Sequence, residues 1–164
     1  MPLILPSLQS DLIDVYSKGK KGNPFPGAVG IKTGKAYVSY VSQGMNAGGG
    51  SFTAMPGGVP LGGDLAEVLS KVPTASGNIT AANMATAFDK CLSTFLSVHQ
   101  TTIVTSAGKG ALQLELMELL SAPKGHASLY ATALGRALNN YTLAAIVIGV
   151  IPDTPGIPFT GPIS

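Results

Sequence analysis

Apolar residues recur at steps of three and four in several segments of this chain, which is the spacing of one buried face of an α-helix. The charged residues of these segments fall on the opposite side of the helix, as Asp89 and Lys90 do. The segments that show the pattern are 5–15, 61–72, 84–98, 112–120 and 127–148. They predict a mainly α fold: a helical, bundle-like single domain of about five helices.

Three further segments are ambiguous by periodicity. Residues 31–46 place Tyr37 and Tyr40 on a helical stripe, although 37–41 also suits a strand, and the stripe favours a helix. Residues 101–105 are β-branched and short, which indicates a connector or a single strand. The longest apolar run, 143–151, is far shorter than the roughly 20 residues of a membrane-spanning helix. It is therefore expected to be a buried helix end or a buried strand.

Glycine and proline set two segments apart. Residues 46–63 are rich in glycine and cannot hold a core of their own, which predicts a Gly-rich loop or arm. Residues 152–164 carry Pro152, Pro155 and Pro158 at the period of a polyproline II strand. They predict an extended C-terminal arm that either frays or lies in a groove of another subunit. The predicted organisation is a helical domain over 1–151 followed by an arm over 152–164.

Large apolar side chains in these Gly- and Pro-rich segments are candidates for subunit contact, because such segments offer little local core. The candidates are Phe25, Phe52, Met55, Ile157 and Phe159. The alternative for each is that it caps the core of its own domain.

Charge is sparse along the whole chain. Charged residues make up 11% of it, against about 25% in a typical soluble domain. Because exposed apolar patches mark contact sites, we expect neighbouring polypeptide to cover part of the surface. The net charge is +2 and the basic residues are scattered apart from 18–21, so nucleic acid is not an expected partner. Residues 1–5 are apolar but lack the basic region of a signal peptide.

The acidic residues include three pairs spaced three positions apart. The pairs are Asp11 and Asp14, Asp64 and Glu67, and Glu115 and Glu118. Paired carboxylates can bind a metal or share a proton, but each pair falls on the polar side of a predicted helix, which a solvated helix face explains. His99 and His126 have no second ligand at metal spacing, and Cys91 fits the core. The sequence therefore predicts no catalytic, metal or cofactor-binding residue, no cofactor, and no enzyme activity.

Four features together resemble the small virion structural proteins of contractile-tailed bacteriophages. They are a short amphipathic first helix over 6–12, a Lys-Ala-Tyr-x-x-Tyr segment at 35–40, an Ala/Thr-rich helical middle, and a Gly/Pro-rich end at 155–162. The glycine stretch 46–63 is longer than in the family pattern. The resemblance implies a non-enzymatic subunit that assembles with copies of itself and other virion proteins. Its expected location is the virion, after assembly in the host cytoplasm, in a head, neck, tail or baseplate position that the resemblance does not specify.

Two other classes of function stay open on the residues alone. The apolar run 143–151 suits a small membrane-active protein of the lysis or pore type, although no stable membrane span is expected. An enzyme with an unrecognised site is the other, and a deep pocket with convergent polar groups would favour it.

Overall fold

The computed structural model describes residues 3–17, 26–72, 76–104, 106–121, 126–153 and 155–164. Its helices are α1 (Leu5–Ser17), α2 (Pro26–Val41), α3 (Gly58–Ser70), α4 (Gly77–Leu92), α5 (Ser106–Ser121) and α6 (Ala127–Leu143). Its strands are β1 (Phe52–Ala54), β2 (Leu96–Ser97), β3 (Gln100–Val104), β4 (Ile146–Ile151) and β5 (Ile157–Pro162). The prediction of a mainly helical single domain is confirmed, with six helices described and a small β component.

The helix favoured for residues 31–46 is confirmed as far as Val41, where α2 ends. Two other local predictions change. Helix α3 begins at Gly58, inside the segment predicted to be a Gly-rich loop, because Leu61 and Leu65 are fully buried and fix the helix on the core. The last helix ends at Leu143 rather than 148, and the apolar run that follows forms β4.

The helices form a closed ring. Each helix packs against the next one along the chain, and α6 packs against α1. The ring alternates between two kinds of helix, because α2, α4 and α6 bury more of their residues than α1, α3 and α5 do. We therefore refer to α2, α4 and α6 as the inner helices and to α1, α3 and α5 as the outer helices.

Side chains of the inner helices meet at the centre of the ring. The Tyr37 ring of α2 contacts the Phe88 ring of α4 edge to face, with centroids 5.0 Å apart. Tyr37 also lies 2.9 Å from the Thr142 hydroxyl of α6. Thr142 donates its own proton to the Leu138 carbonyl, so Tyr37 is the donor between the two hydroxyls. Tyr141 of α6 donates to the Asp89 carboxylate of α4 over 2.9 Å. Each pair of inner helices is joined in this way, and every contact lies in the last turns of its helices, so the C-terminal ends of α2, α4 and α6 come together.

The outer helices repeat one sequence pattern with a period of about 50 residues. Aligned on their buried leucines, they match at Leu8, Leu61 and Leu112; at Leu12, Leu65 and Leu116; at Asp11, Asp64 and Glu115; at Asp14, Glu67 and Glu118; and at Ser17, Ser70 and Ser121. The six leucines are at most 1% exposed. The chain is thus built from three similar helical units, each with one inner and one outer helix.

The inner helices repeat in the same register. The matching positions are Ala36, Ala87 and Ala137; Tyr37, Phe88 and Leu138; Tyr40, Cys91 and Tyr141; and Val41, Leu92 and Thr142. All of these residues are buried. The units are α2 with α3, α4 with α5, and α6 with α1, so the third unit joins the two ends of the chain. Leu3 and Ile163 accordingly both pack on Gly44.

Backbone hydrogen bonds between strands also join each unit to the next one around the ring. The first extended residue after each inner helix pairs with a strand of another unit: Leu96 with Ala54, and Ile146 with Val104. Met45 exchanges both backbone hydrogen bonds with Ser164, over 2.7 and 2.9 Å. Because the C-terminal ends of the inner helices come together, the strands that follow them lie at one end of the ring, which we call the strand end: residues 45–54, 96–104, 146–153 and 155–164.

The C-terminal segment belongs to the domain and is not a separate arm. Strand β5 pairs antiparallel with β4 along its whole length, from Ile151 with Ile157 to Ile146 with Pro162. Ile163 is fully buried. The polyproline II interpretation was wrong because an apolar strand lies within reach of the tail and supplies hydrogen-bond partners for the residues between its prolines.

Candidate assembly surface

The strand end lacks the charges that cover the rest of the molecule. Within its ranges the sequence has no Lys, Arg or Glu, and Asp153 is the single acidic residue. Every other charged residue belongs to the helices or to the connections between them. A soluble surface usually interleaves both signs of charge over about a quarter to a third of its residues. One whole end of this protein departs from that rule.

The outward face of the three-stranded sheet β3–β4–β5 is the most regular part of the strand end. Ile148 and Val150 alternate outward along β4 and are 37% and 44% exposed. Their partners on β5, Thr160 and Pro158, are exposed beside them, as is Thr102 of β3. The face is therefore built from β-branched residues and proline, whose stiff side chains form a preordered surface.

The inward face of the same sheet holds it against the helices. The Phe159 ring lies over Gly48 and Gly149, where a Cβ atom would come within 2.6 and 2.5 Å of it. Val147 and Ile163 are fully buried. The glycine-rich segment and the C-terminal segment therefore pack on one another within a single chain, and the glycines provide the space for the aromatic ring.

Asn46 braces the turns of the strand end. Its amide donates to the Ser97 hydroxyl over 2.9 Å and to the Val98 carbonyl over 2.6 Å, and its side-chain oxygen accepts from the Gly50 amide over 2.8 Å. His99 in the adjacent turn has a φ of 65°, a conformation that L-residues adopt at a cost. These bonds fix the exposed turns in place, so the surface is formed before any partner arrives.

The predicted contact residues divide between this surface and the core. Phe52 is half-buried, and its ring contacts the Phe95 ring in a tilted arrangement with centroids 5.7 Å apart. Met55 is 7% exposed, and Phe159 packs against the core. These three residues pack on the core of their own domain. Ile157 is 51% exposed at the tip of the β4–β5 hairpin, and Phe25 lies outside the described residues.

Sequence reasoning passed over other exposed residues of the strand end. Leu96 and Val98, beside β1, are 46% and 36% exposed, and the run that contains Ile148 and Val150 was expected to be a buried helix end or a buried strand. The signal that could have found this surface is the distribution of charge, because long stretches without Lys, Arg, Asp or Glu coincide with its segments.

The acidic pairs line three matching clefts between units. Asp11 and Asp14 face Lys32 and Lys35 across the α1–α2 cleft. In the α3–α4 cleft, Lys90 lies 3.3 Å from Asp64. At the matching position of the α5–α6 cleft, Asn140 donates to Glu115 over 3.4 Å. Cations and amides across each cleft offset the carboxylates, which is what solvated helix faces between packed units require.

The reactive residue types lie apart from one another. Burial raises the pKa of the Cys91 thiol to about 12, so it stays protonated at neutral pH and is a poor nucleophile. His99 and His126 are exposed, the first in a turn of the strand end and the second at the start of α6. Within the described ranges, no three His, Cys, Asp or Glu residues come together as metal ligands.

Compared with protein-family models, with curated proteins and with solved structures, the chain gives no match. In the part of the chain that the structure describes, no helix has both the length and the apolar character needed to span a bilayer. The apolar run 143–151, which motivated the membrane-active alternative, forms the end of α6 and strand β4.

Proposed function

We propose that this protein is a non-enzymatic structural subunit of a tailed bacteriophage particle, which acts by packing its strand end against neighbouring subunits. The observation that carries the proposal is the charge distribution: one end of the molecule is preordered and nearly free of charge, and it exposes Leu96, Val98, Ile148, Val150 and Ile157. Extended patches of this kind mark contact sites on otherwise soluble proteins.

The energetics favour coverage by protein. Burying a Val, Leu or Ile side chain completely is worth about 1.5–3 kcal/mol. Leu96, Ile148, Val150 and Ile157 are each roughly half exposed, so covering each would gain on the order of 1 kcal/mol. Because the charged residues lie elsewhere, almost no ion has to lose its hydration in the contact. The contact therefore avoids most of the free-energy cost of desolvating charged groups.

The mode of assembly that we propose differs from the one expected from the sequence. Residues 157–162 are already paired along their length within their own chain, so exchange of a C-terminal arm is not part of the proposal. Contact between preformed surfaces avoids the roughly 1–2 kcal/mol of backbone entropy that each newly ordered residue costs. Rigid surface-to-surface packing is therefore the mode that we propose.

Mass spectrometry of purified particles tests the proposal. Particles from a lysate of cells that produce this chain are banded in a density gradient, treated with protease-free nuclease, and analysed for its peptides. We expect the chain in the particle band at a constant ratio to the other particle proteins across the peak. A chain that stays in the soluble fractions at the top of the gradient contradicts the proposal. An abundant host cytoplasmic protein, followed in the same fractions, controls for trapping.

A further inference from the structure

We infer that the strand end is a self-association surface, on which a second copy of this chain docks face to face. The inference rests on the proposed function and names the first partner of that surface. The pairing would bring the outward face of β3–β4–β5 and the exposed turns of β1 and β2 against the same elements of the other copy. Such a two-fold contact uses one patch on both molecules.

The area of the surface fits a stable dimer. An interface of standard size takes about 800 Å² from each partner, which is about a tenth of the 8166 Å² that this chain exposes. Among its described positions, the strand end has 20 exposed residues, and an interface of standard size uses about 20–30 residues from each partner. It can therefore form an interface without any additional segment of the chain.

The absence of charge points to a second copy as the occupant. Like charges that meet across an interface cost several kcal/mol, so a charged patch resists pairing with itself. The strand end carries a single acidic residue, Asp153, and so raises almost no repulsion between two copies. It also offers nothing that would select an acidic or a basic partner over an uncharged one. Among possible partners with an uncharged surface, a second copy of this chain is present wherever the chain itself is present.

The proline positions favour contact between faces over contact between strand edges. Pro158 and Pro162 lie in β5 and have no N–H to donate to an added strand. Extension of the sheet through β5 is thereby blocked at two positions. The outward side chains Ile148 and Val150 remain exposed on the adjacent strand and supply an apolar centre for a contact between sheet faces.

Sedimentation equilibrium of the full chain, with charges introduced at each end of the ring, tests the inference. The strand-end variant is Ile148→Glu with Val150→Glu. The matched control is Ile79→Glu with Leu129→Glu, since Ile79 and Leu129 are 57% and 56% exposed at the starts of α4 and α6, at the opposite end. We expect a dimer for the unmodified chain and the control, and a dissociation constant at least about 100-fold higher for the strand-end variant.

Mixing oppositely charged variants makes the test specific. The Glu variant and the matching variant Ile148→Lys with Val150→Lys should each be monomeric, and their mixture should recover a heterodimer. Recovery requires both proteins to be folded, so it separates loss of contact from misfolding, and circular dichroism of each variant checks the fold independently. If either charged variant does not fold, Val150→Thr, which keeps the β-branched shape, replaces it and is expected to weaken the dimer.

Several outcomes overturn the inference. They are an unmodified chain that stays monomeric at tens of micromolar concentration, a dimer that the helix-end control disrupts, and a dimer that the strand-end charges leave intact. A monomeric chain that is still found in purified particles would reject self-docking while leaving the proposed structural role standing. A dimer that is missing from particles would do the reverse.

Discussion

The two ends of the molecule follow different rules. The helical body repeats one pattern three times, with matching leucines, acidic pairs and inner-helix residues. The strand end follows the same cycle of pairing but differs in every unit: a single bridge and a three-residue strand in the first, strands of two and five residues in the second, and two strands of six residues in the third. The fold is therefore determined by the repeated helices. The strands at one end of the ring differ between the units, so the surface that they form is not repeated.

The largest expected effect tests whether the three units are energetically alike. Leu12→Ala, Leu65→Ala and Leu116→Ala each remove a fully buried side chain from a matching position. Each should lower the free energy of unfolding by about 2–5 kcal/mol, measured by urea denaturation. Leu114→Ala, at a position that is 64% exposed on α5, is the control and should cost far less. A near-zero cost at one of the three positions would break the equivalence.

The second prediction concerns the close contact of inner and outer helices in the first unit. A Cβ atom at Gly30 would lie 2.4 Å from the Ala66 amide nitrogen, whereas a Cβ atom at Gly63 would have no neighbour within 4 Å. Gly30→Ala should therefore destabilise the protein by about 1–3 kcal/mol. Gly63→Ala, inside α3, should stabilise it by about 0.5–1 kcal/mol, because alanine restricts the unfolded chain. Thermal melting distinguishes the two, and equal shifts would refute the helix contact.

Alkaline pH should weaken the body through its central tyrosines. Burial raises the pKa of Tyr37 well above its ordinary value of 10, and the pKa of Tyr40 is raised by the same cause. Their contribution is complete below pH 10. Above it, the unfolded chain loses these protons while the folded chain keeps them, so stability falls.

The expected slope is about 1.4 kcal/mol per pH unit for each tyrosine that behaves in this way. Urea denaturation between pH 9 and 11.5 measures the slope, and Tyr37→Phe should make it shallower. Equal slopes for the two proteins would mean that Tyr37 ionises in the fold.

The smallest expected effect is on stability at the strand end. Val150→Thr changes a side chain that is 44% exposed and keeps its β-branched shape. The free energy of unfolding of the monomer should change by less than about 0.5 kcal/mol, as measured at a concentration below the dimer dissociation constant. A loss of several kcal/mol would show that the outward face of β4 belongs to the core, and would end its interpretation as a contact surface.

Periodicity was sufficient for most of the helical body, left α2 ambiguous between helix and strand, and was insufficient for the strands. The stripe of α4 from Met84 to Cys91 is buried as its spacing predicts. Strand β4 follows α6 directly and is equally apolar, so a short apolar run did not show where the helix ended. Strand β5 contains two prolines, and its conformation depends on pairing with β4. The residue pattern of the tail alone carries no information about that pairing.

The three acidic pairs were visible in the sequence, but their meaning was missed. Each pair alone suggests only a solvated helix face, but the pattern Leu-x-x-Asp/Glu-Leu-x-Asp/Glu recurs at Leu8, Leu61 and Leu112. Recurrence at such a period indicates a repeated structural unit. The charge-free stretches were equally visible in the sequence, but only the fold brings them to one end, because the C-terminal ends of the inner helices come together. The candidate surface therefore required the fold.

Hydroxyl-radical footprinting of the chain in purified particles, compared with the isolated chain at monomeric dilution, tests the central claim most directly. Leu96, Ile148 and Ile157 report on the strand end, and Ile79 and Leu129 report on the opposite end at similar exposure. We predict that labelling of the first group falls several-fold in the particle beyond any change in the second group. Equal labelling of the strand end in both states, or protection confined to Ile79 and Leu129, would contradict the account.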